Sequence, residues 1–224
     1  MVVAKVSLVA LSAFWAFQEI PICRPLKEDE SYLMKTVSNV QVEDIKVSEE
    51  GTYEHKCIEI DDHGTEHIEV TIVDGTKKIG EGEAESIKGE TYNYYQNSLG
   101  QRFEYEEIRS TLKEDPLGFV IAEIHSKLKD HSVVPGETWK DKSASTIYRV
   151  TAGQPKKYLD TDCIQVVREG TFTNGVSGTF KEDSWYRIAD GQLMSQVTTA
   201  DTGESSDMVP IKYFERSDYQ QQKK

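Results

Sequence analysis

The chain has 224 residues, of which 37% are hydrophobic and 29% charged, and this length suits a single domain. Its net charge of −13 argues against a nucleic-acid-binding surface, because such binding depends on lysine and arginine side chains that neutralise phosphates. Anionic membrane surfaces are disfavoured for the same reason.

Residues 1–22 have the pattern of an export signal. Lys5 precedes an apolar run from Val6 to Phe17, which at twelve residues is too short to cross a bilayer as a helix. That length is typical of the apolar core of a secretory signal peptide. The sequence therefore predicts a signal peptide over 1–22, export to the periplasm or the cell exterior, and no stable membrane span. A buried N-terminal strand or helix and an uncleaved anchor are the alternatives.

Residues 23–50 are rich in acidic side chains and lack a strand pattern. Their apolar residues have loose helical spacing, at Tyr32, Leu33, Thr36, Val37 and Val40. We expect a charged lead-in segment here, either a short surface helix or a mobile stretch before the folded domain.

From residue 51 the sequence changes to runs rich in Ile, Val, Thr and Tyr, with apolar residues at every second position. Between such runs lie Asp74-Gly75, Asn174-Gly175 and Asp190-Gly191, and a looser turn signal follows at 201–203. Asx-Gly pairs favour tight hairpins because both residues readily adopt positive φ. The sequence predicts one β-rich domain over 51–216 and a frayed tail over 217–224.

One segment breaks this pattern. Its apolar residues follow the spacing of one helix face, at Leu117, Val120, Ile121, Ile124 and Leu128. Asp115 suits the N-cap and Pro116 the first helical position. We predict a helix over 116–130 whose apolar face packs on the sheet. The expected fold is therefore mainly β, a long curved antiparallel meander, like a half-barrel, packed on one α-helix near 116–130.

The stretch 61–67, DDHGTEH, places His63 and His67 four residues apart among acidic side chains. That spacing suits zinc on a helix, where both histidines share a face, but here the flanking residues alternate as strands do. A three-residue loop with Gly64 in its third position would place Ile58 opposite Ile68 and Glu59 opposite His67. We interpret the stretch as a hairpin and expect neither a metal site nor a cofactor.

The three cysteines, Cys23, Cys57 and Cys163, form no C-x-x-C pair. In an exported protein Cys57 and Cys163 are candidates for a disulfide. Two buried free thiols are equally compatible with the sequence.

Residues 133–214 contain Pro135-Gly136-Glu137-Thr138-Trp139, a middle strand and a hairpin that starts with Trp185-Tyr186 and ends at Gly191. This stretch resembles a family of uncharacterised exported bacterial β-domains with a P-x-G-x-x-W entry and a W-Y-x-x-x-x-G hairpin. The family's A-G-x-F step has only a partial counterpart at 152–155. The resemblance implies an extracytoplasmic location and a curved antiparallel sheet, with no catalytic residues. The expected helix and sheet also look like the half-barrel of periplasmic lipoprotein carriers.

Aromatic residues on or near the predicted strands are the candidate lining of a ligand pocket, although they would serve equally as core: Tyr92, Tyr94, Phe103, Tyr105, Trp139 and Trp185. The sequence contains no phosphate-binding glycine loop and no nucleophile elbow. We therefore expect an exported, non-enzymatic domain that binds a lipid, another apolar small molecule or an envelope protein on a concave sheet face. A structural or interaction module of the envelope without a small ligand is one alternative, and a hydrolase or metal-dependent enzyme with an unrecognised site is another.

Overall fold

A computed structural model describes residues 19–96, 102–103, 132–142, 146–174, 176–203 and 210–220. Within these ranges the chain forms 15 β-strands and no helix. Thirteen strands belong to one antiparallel sheet, and the other two, β1 (Ile20–Pro21) and β8 (Ser132–Val133), pair with each other. No helix in the described ranges is long and apolar enough to cross a membrane.

The sheet consists of two meanders that meet at its centre. The N-terminal half contains β2 (Ser31–Val42), β3 (Ile45–Ile60), β4 (Glu66–Ile79), β5 (Glu85–Ser86), β6 (Thr91–Gln96) and β7 (Arg102–Phe103). The C-terminal half contains β9 (Thr138–Lys142), β10 (Thr146–Ala152), β11 (Lys156–Tyr158), β12 (Thr161–Asn174), β13 (Val176–Arg187), β14 (Leu193–Asp201) and β15 (Ile211–Gln220). The strand order is β7-β6-β4-β3-β2-β15-β14-β13-β12-β10-β9, so the pairing of β2 with β15 joins the halves. The short strands β5 and β11 pair with β4 and β12.

One face of the sheet, which we call the inner face, carries most of the buried side chains. On β10, Tyr148, Val150 and Ala152 are buried while the residues between them are exposed. The first part of β4 alternates in the same way. This period of two is expected of a sheet with one covered face.

Two clusters of buried side chains form the core. The C-cluster lies on the C-terminal half and comprises Ile20, Ile22, Val133, Tyr148, Val150, Ala152, Ile164, Val166, Phe172, Phe180, Tyr186, Ala200 and Tyr213. The N-cluster lies on the N-terminal half and comprises Leu26, Tyr53, Cys57, Ile68, Val70, Ile72, Ile87 and Tyr94. Residues 20–26 therefore contribute to both clusters.

The all-β structure corrects the expected fold class, a sheet packed on one helix. In the described ranges, extended segments rather than a helix cover the inner face. Their buried apolar side chains include Ile20, Ile22, Leu26 and Val133. These residues supply the packing that a helix was expected to supply. The segment 116–130 itself lies outside the described residues.

Residues 23–50 are not a separate lead-in, because they include the central strand β2 and the start of β3. Most side chains of β2 are half-buried, on both faces of the strand. Its apolar residues therefore do not occupy every second position, and their spacing suggested a helix. The first half of the expected frayed tail is also part of the sheet, since Ser217 to Gln220 pair with β2.

The Asx-Gly signals had different outcomes. Asn174, the last residue of β12, pairs with Val176, the first of β13, and residue 175 lies outside the described ranges. A turn separates β13 from β14 at Gly191, which has a φ of 75°. Asp74-Gly75 is instead inside β4, so the predicted turn there is wrong. A Cβ atom on Gly51 of β3 would lie 2.8 Å from the Asp74 carbonyl oxygen, so this part of the ladder depends on close backbone approach rather than on a turn.

The hairpin at 61–67 is confirmed, with Gly64 at a φ of 77° and Glu59 opposite His67. The Asp61 carboxylate accepts hydrogen bonds from the backbone N–H groups of Thr65 and His63, both at 2.8 Å. These bonds lower the pKa of Asp61, and the bond from Thr65 has the largest effect. One part of the predicted register is wrong, because an irregularity in β3 at residue 58 places Cys57 opposite Ile68.

Candidate ligand-binding site

The sheet curls so that strands far apart in the strand order approach each other at the inner face. Gly191, at the turn between β13 and β14, and Glu66 of β4 are separated in the strand order by β15, β2 and β3, so β14 and β4 would lie about 19 Å apart in a flat sheet. Cys23 nonetheless packs against Gly191, and the Leu26 N–H, three residues later, donates to Glu66. Three residues of extended chain span at most about 11 Å, so the inner face is concave.

An extended segment, residues 19–30, crosses this concave face, and we call it the strap. Ile20 pairs with Val133 next to the C-cluster, whereas the Leu26 N–H donates to the Glu66 carboxylate at 3.0 Å on the N-terminal half. Between them the Cys23 backbone lies close to Gly191, where a Cβ atom would come within 2.9 Å of the Cys23 carbonyl oxygen. Burial, followed by the nearby Glu66, raises the pKa of Cys23 to about 11.

Arg24 fixes the middle of the strap to the turn between β13 and β14. Its guanidinium donates to Gln192 Oε1 at 3.0 Å and lies 3.7 Å from the Asp190 carboxylate. It also forms an ion pair with Glu30, whose backbone carbonyl accepts the Cys57 N–H at 3.0 Å. The strap is thus bound to both halves of the sheet.

A row of polar side chains crosses the inner face from β12 to β3, and we call it the polar stripe. Through successive cross-strand pairs it comprises Arg168, Glu182, Thr198, Glu215, Ser38 and Glu49. Its first three residues are buried and its last three are half-buried. The stripe therefore has a closed end within the C-cluster and an open end on β15, β2 and β3.

The closed end is a buried ion pair. Arg168 Nη2 lies 2.9 Å from Glu182 Oε2, and both side chains are almost fully buried. The guanidinium carbon also lies 5.5 Å from the Tyr148 ring centre and 5.3 Å from that of Phe180. Paired and packed between aromatic rings, these charges have a structural role.

The open end contains two tyrosine–glutamate pairs. Tyr213 Oη donates to Glu215 Oε2 at 2.6 Å, and Tyr53 Oη donates to Glu49 Oε1. Burial is the main cause that raises the pKa of each phenol, and its carboxylate partner adds to it. Glu49 also acts on Tyr213, and Glu215 acts on Tyr53, so the two pairs form one electrostatic group.

Tyr92 adds an accessible aromatic surface to this group. It lies on the inner face opposite Val70, yet 46% of its surface is exposed, whereas Tyr53 and Tyr213 are buried. Tyr92 also contributes to the raised pKa values of both buried phenols, although burial dominates. By register Tyr92 lies on the same face as Tyr53, with β4 between their strands, so the exposed ring is on the same side of the sheet as the two tyrosine–glutamate pairs.

The stripe also contains the buried hydroxyl of Thr198, which is 0% exposed and has no hydrogen-bond partner among the described residues. Thr198 lies between Glu182 and Glu215 in the cross-strand row. An unsatisfied buried hydroxyl is costly in free energy. Thr198 is the last fully buried residue of the stripe, so it marks the boundary between the closed and open ends.

The aromatic residues proposed from sequence are not gathered in one pocket. Tyr94 is buried in the N-cluster, with its hydroxyl 3.3 Å from His55 Nδ1. Trp139 packs against the C-cluster. Trp185 belongs to the other face of the sheet, where it stacks on Tyr158 at 4.9 Å.

Two further candidates are only partly described or lie outside the described residues. Phe103 is placed by its strand pairing with Tyr95, and Tyr105 lies outside the described ranges. Of the six candidates, Tyr92 is the one at the open end of the stripe. Sequence reasoning missed Tyr53 and Tyr213, because no sequence pattern links β3 to β15.

All three cysteines are free thiols, so the suggested disulfide between Cys57 and Cys163 is wrong. Cys57 is in the N-cluster on β3, while Cys163 lies on β12, five strands away in the sheet order. Cys163 also follows the opposite alternation to its neighbour Ile164 of the C-cluster, which places the two thiols on opposite faces.

The two histidines of the 61–67 hairpin are not held together by an arrangement of metal ligands. The His67 ring stacks on Tyr95 with a centre-to-centre distance of 4.4 Å. Within the part of the chain that the structure describes, no three His, Cys, Asp or Glu side chains are grouped to hold a metal ion.

Comparison of the chain with protein-family models and with curated proteins gave no match. The described residues define a class by geometry alone: a curled, all-antiparallel β-domain with a strap across its concave face and a polar stripe beneath. The functional argument therefore depends on the open end of that stripe.

Proposed function

We propose that this protein is an exported, non-enzymatic binding protein that holds a small molecule at the open end of the polar stripe. The observation that carries this proposal is the exposure of the Tyr92 ring on the concave inner face, where 46% of its surface is accessible. An aromatic ring beside a few convergent polar groups is a typical arrangement of a ligand site.

The ligand in this proposal is amphipathic rather than wholly apolar. Its apolar part would contact the Tyr92 ring, and its polar part would face the half-buried Glu49 and Glu215 carboxylates. A purely apolar ligand would desolvate these carboxylates without replacing their hydrogen bonds to water, which is unfavourable. Lipids with a polar headgroup remain within this class.

The two phenols hold the carboxylates in place. Burial is the main cause that raises the pKa values of Tyr53 and Tyr213, and the protonated hydroxyls donate to Glu49 and Glu215. This fixed arrangement supports a binding role for the two carboxylates.

Export is part of the proposal, and the strap restricts where a leader can be removed. Ile20 and Ile22 are 1% and 3% exposed in the C-cluster, so cleavage after residue 22 would remove two core side chains. We therefore place any cleavage before Ile20. Intact-mass measurement of the protein recovered from the periplasm or medium tests this, and a mature chain that starts at Cys23 would contradict it.

Ligand binding is tested with Tyr92→Ala and the control Tyr95→Ala. Tyr95 lies on the same strand but opposite His67 rather than on the inner face. Incubation with a cell-envelope lipid extract, followed by native mass spectrometry, is expected to show a retained small molecule in the wild type and in Tyr95→Ala. Tyr92→Ala should retain at least tenfold less. No retained molecule in any of the three would refute the lipid form of the proposal, and equal retention in all three would refute the site.

A further inference from the structure

The inner face carries an apolar patch at the end of β3 opposite to the strap, and we call it the aliphatic patch. Two cross-strand rows place its members on one face with the buried Tyr213 and Ile211 of β15. The members are Val40, Val47 and Ile79 in the row of Tyr213, and Val42 and Ile45 in the row of Ile211. Because directly paired residues share a face, the patch continues the buried surface of β15 onto β2, β3 and β4.

Burial decreases along both rows of the patch. Tyr213 and Ile211 are each 4% exposed, whereas Ile79 and Ile45 at the far ends are 57% and 56% exposed. The three valines between them are half-buried. In the described part of the chain, neither core cluster includes the two isoleucines. Single exposed isoleucines are ordinary on a protein surface, but contiguous aliphatic side chains that continue a core are typical of an interaction surface.

We propose that the aliphatic patch binds the apolar face of a basic amphipathic helix of a protein partner. This role is separate from the proposed small-molecule site. The patch extends over three neighbouring strands and is therefore about 10 Å wide, which is close to the diameter of an α-helix. At Val40, Val42 and Val47 the strands β2 and β3 are already paired on both sides, so a partner cannot add a strand there. A helix can instead pack on the side chains.

Two exposed acidic turns adjoin the ends of the patch. Glu43 and Asp44 form the turn between β2 and β3, directly after Val42 and before Ile45. Residues 80–84 follow Ile79 and include Glu81 and Glu83. A partner whose apolar side chains contact the patch would therefore bring its flanking residues close to these four carboxylates. Lysine and arginine at those flanking positions would complement the charge.

The lysines near the patch do not reverse this charge. Lys77 lies in the neighbouring row of the inner face, directly between Glu49 and Glu85. Lys46 and Lys78 alternate with the patch residues Ile45, Val47 and Ile79, so they belong to the outer face of the sheet. The net charge of −13 would also increase the rate at which a cationic partner associates.

Other occupants fit the patch less well. In a two-fold dimer of this chain the same surface would contact itself, so the acidic turns of the two copies would lie close together and repel each other. An anionic membrane surface would be repelled in the same way.

The test uses synthetic peptides of about 15 residues and the full chain. The first peptide contains leucine and lysine patterned as an amphipathic helix, the second has glutamate in place of lysine, and the third is a scrambled form of the first without an apolar face. Fluorescence anisotropy measures binding. We expect the first peptide to bind at least tenfold more tightly than either of the others, and added salt to weaken its binding.

The matched variants are Ile45→Thr/Ile79→Thr and the control Ile147→Thr. Ile147 is 54% exposed but lies on the outer face of β10, and threonine keeps the β-branched shape that suits a strand. The double variant should bind the leucine–lysine peptide about tenfold more weakly than the wild type, and the control should bind it equally well. Circular dichroism checks folding. If the double variant is misfolded, Glu81→Gln/Glu83→Gln gives the result, because it should weaken binding and reduce its dependence on salt.

Four outcomes would overturn the proposal. The first is absence of binding, and the second is equal binding of the lysine peptide by the wild type and the double variant, which would indicate non-specific attraction to an acidic chain. The third is equal or tighter binding of the glutamate or scrambled peptide. The fourth is a different occupant: a wild-type dimer in sedimentation, or adsorption to phosphatidylethanolamine–phosphatidylglycerol vesicles, that Ile45→Thr/Ile79→Thr abolishes and Ile147→Thr retains.

Discussion

The two halves of the sheet bury polar groups in different ways. In the C-terminal half, Arg168 and Glu182 compensate each other within the C-cluster. In the N-terminal half, no cation of the described residues pairs with the buried Glu66, which accepts hydrogen bonds from the Leu26 N–H and from Gln96 Nε2 at 3.2 Å. Burial is the main cause that raises the pKa of Glu66. The comparison teaches that the buried charge of the C-terminal half is neutralised by an ion pair, whereas the buried Glu66 of the N-terminal half is held by hydrogen bonds and makes stability depend on pH.

The largest effect is expected from breaking the ion pair of the C-terminal half. Arg168→Met should lower the free energy of unfolding by about 3–5 kcal/mol, because Glu182 would remain buried without its partner. The double variant Arg168→Met/Glu182→Leu should recover most of that loss. Urea denaturation measures both, and a single variant that costs less than about 1 kcal/mol would contradict the structural role of the pair.

A matched pair of cavity variants tests whether the halves unfold together. Ile164→Ala in the C-cluster and Ile68→Ala in the N-cluster remove equivalent, fully buried side chains. Each should cost about 2–5 kcal/mol. Because the β2–β15 ladder and the strap join the halves, both variants should unfold in one transition. Non-coincident far-UV and fluorescence transitions would show instead that the halves unfold separately.

Thr198→Val sharpens the comparison at the boundary between the halves. Removing an unpartnered buried hydroxyl while keeping the shape should raise the free energy of unfolding by about 1 kcal/mol. Thermal unfolding gives the measurement, and Thr199→Val, on the alternate position of β14, is the control. A destabilised Thr198→Val protein would mean that the hydroxyl is satisfied in solution.

The smallest expected effect is the pH dependence contributed by Glu66. Since its pKa is higher in the folded state, its contribution to stability is fully present below the unfolded-state pKa of about 4.3 and is lost as pH rises through the folded-state pKa. Glu66→Gln should remove this loss, so the variant's stability relative to wild type increases between about pH 4 and neutral pH. Urea denaturation at several pH values tests the sign, and a relative stability that falls over that range would refute it.

Local features of the fold could be predicted from sequence with good accuracy. The alternation of β4 and β10, the hairpin with Glu59 opposite His67, and the turn at Gly191 all follow from neighbouring residues. The errors at β2 and at Asp74-Gly75 have a shared cause. In both places contacts with residues distant in the sequence decide the outcome. The side chains of β2 are half-buried on both faces, and the backbones of β3 and β4 approach closely at Gly51 and Gly75.

The candidate site was predictable only in part. Tyr92 was identified because it lies in an aromatic strand pattern. The two tyrosine–glutamate pairs were not, because Glu49 and Glu215 come from opposite ends of the described chain and meet through the β2 pairings.

The sequence by itself determined where most strands run and which of their residues face inward, because side-chain alternation is a local property of an extended chain. Only the tertiary structure decided that β2 would join the two meanders, that Ile20, Ile22 and Leu26 would cover the inner face, and that Tyr53 and Tyr213 would each donate to a carboxylate there. The physical reason is that strand order and sheet curl depend on contacts between residues far apart in the chain. Local residue patterns carry no record of those contacts.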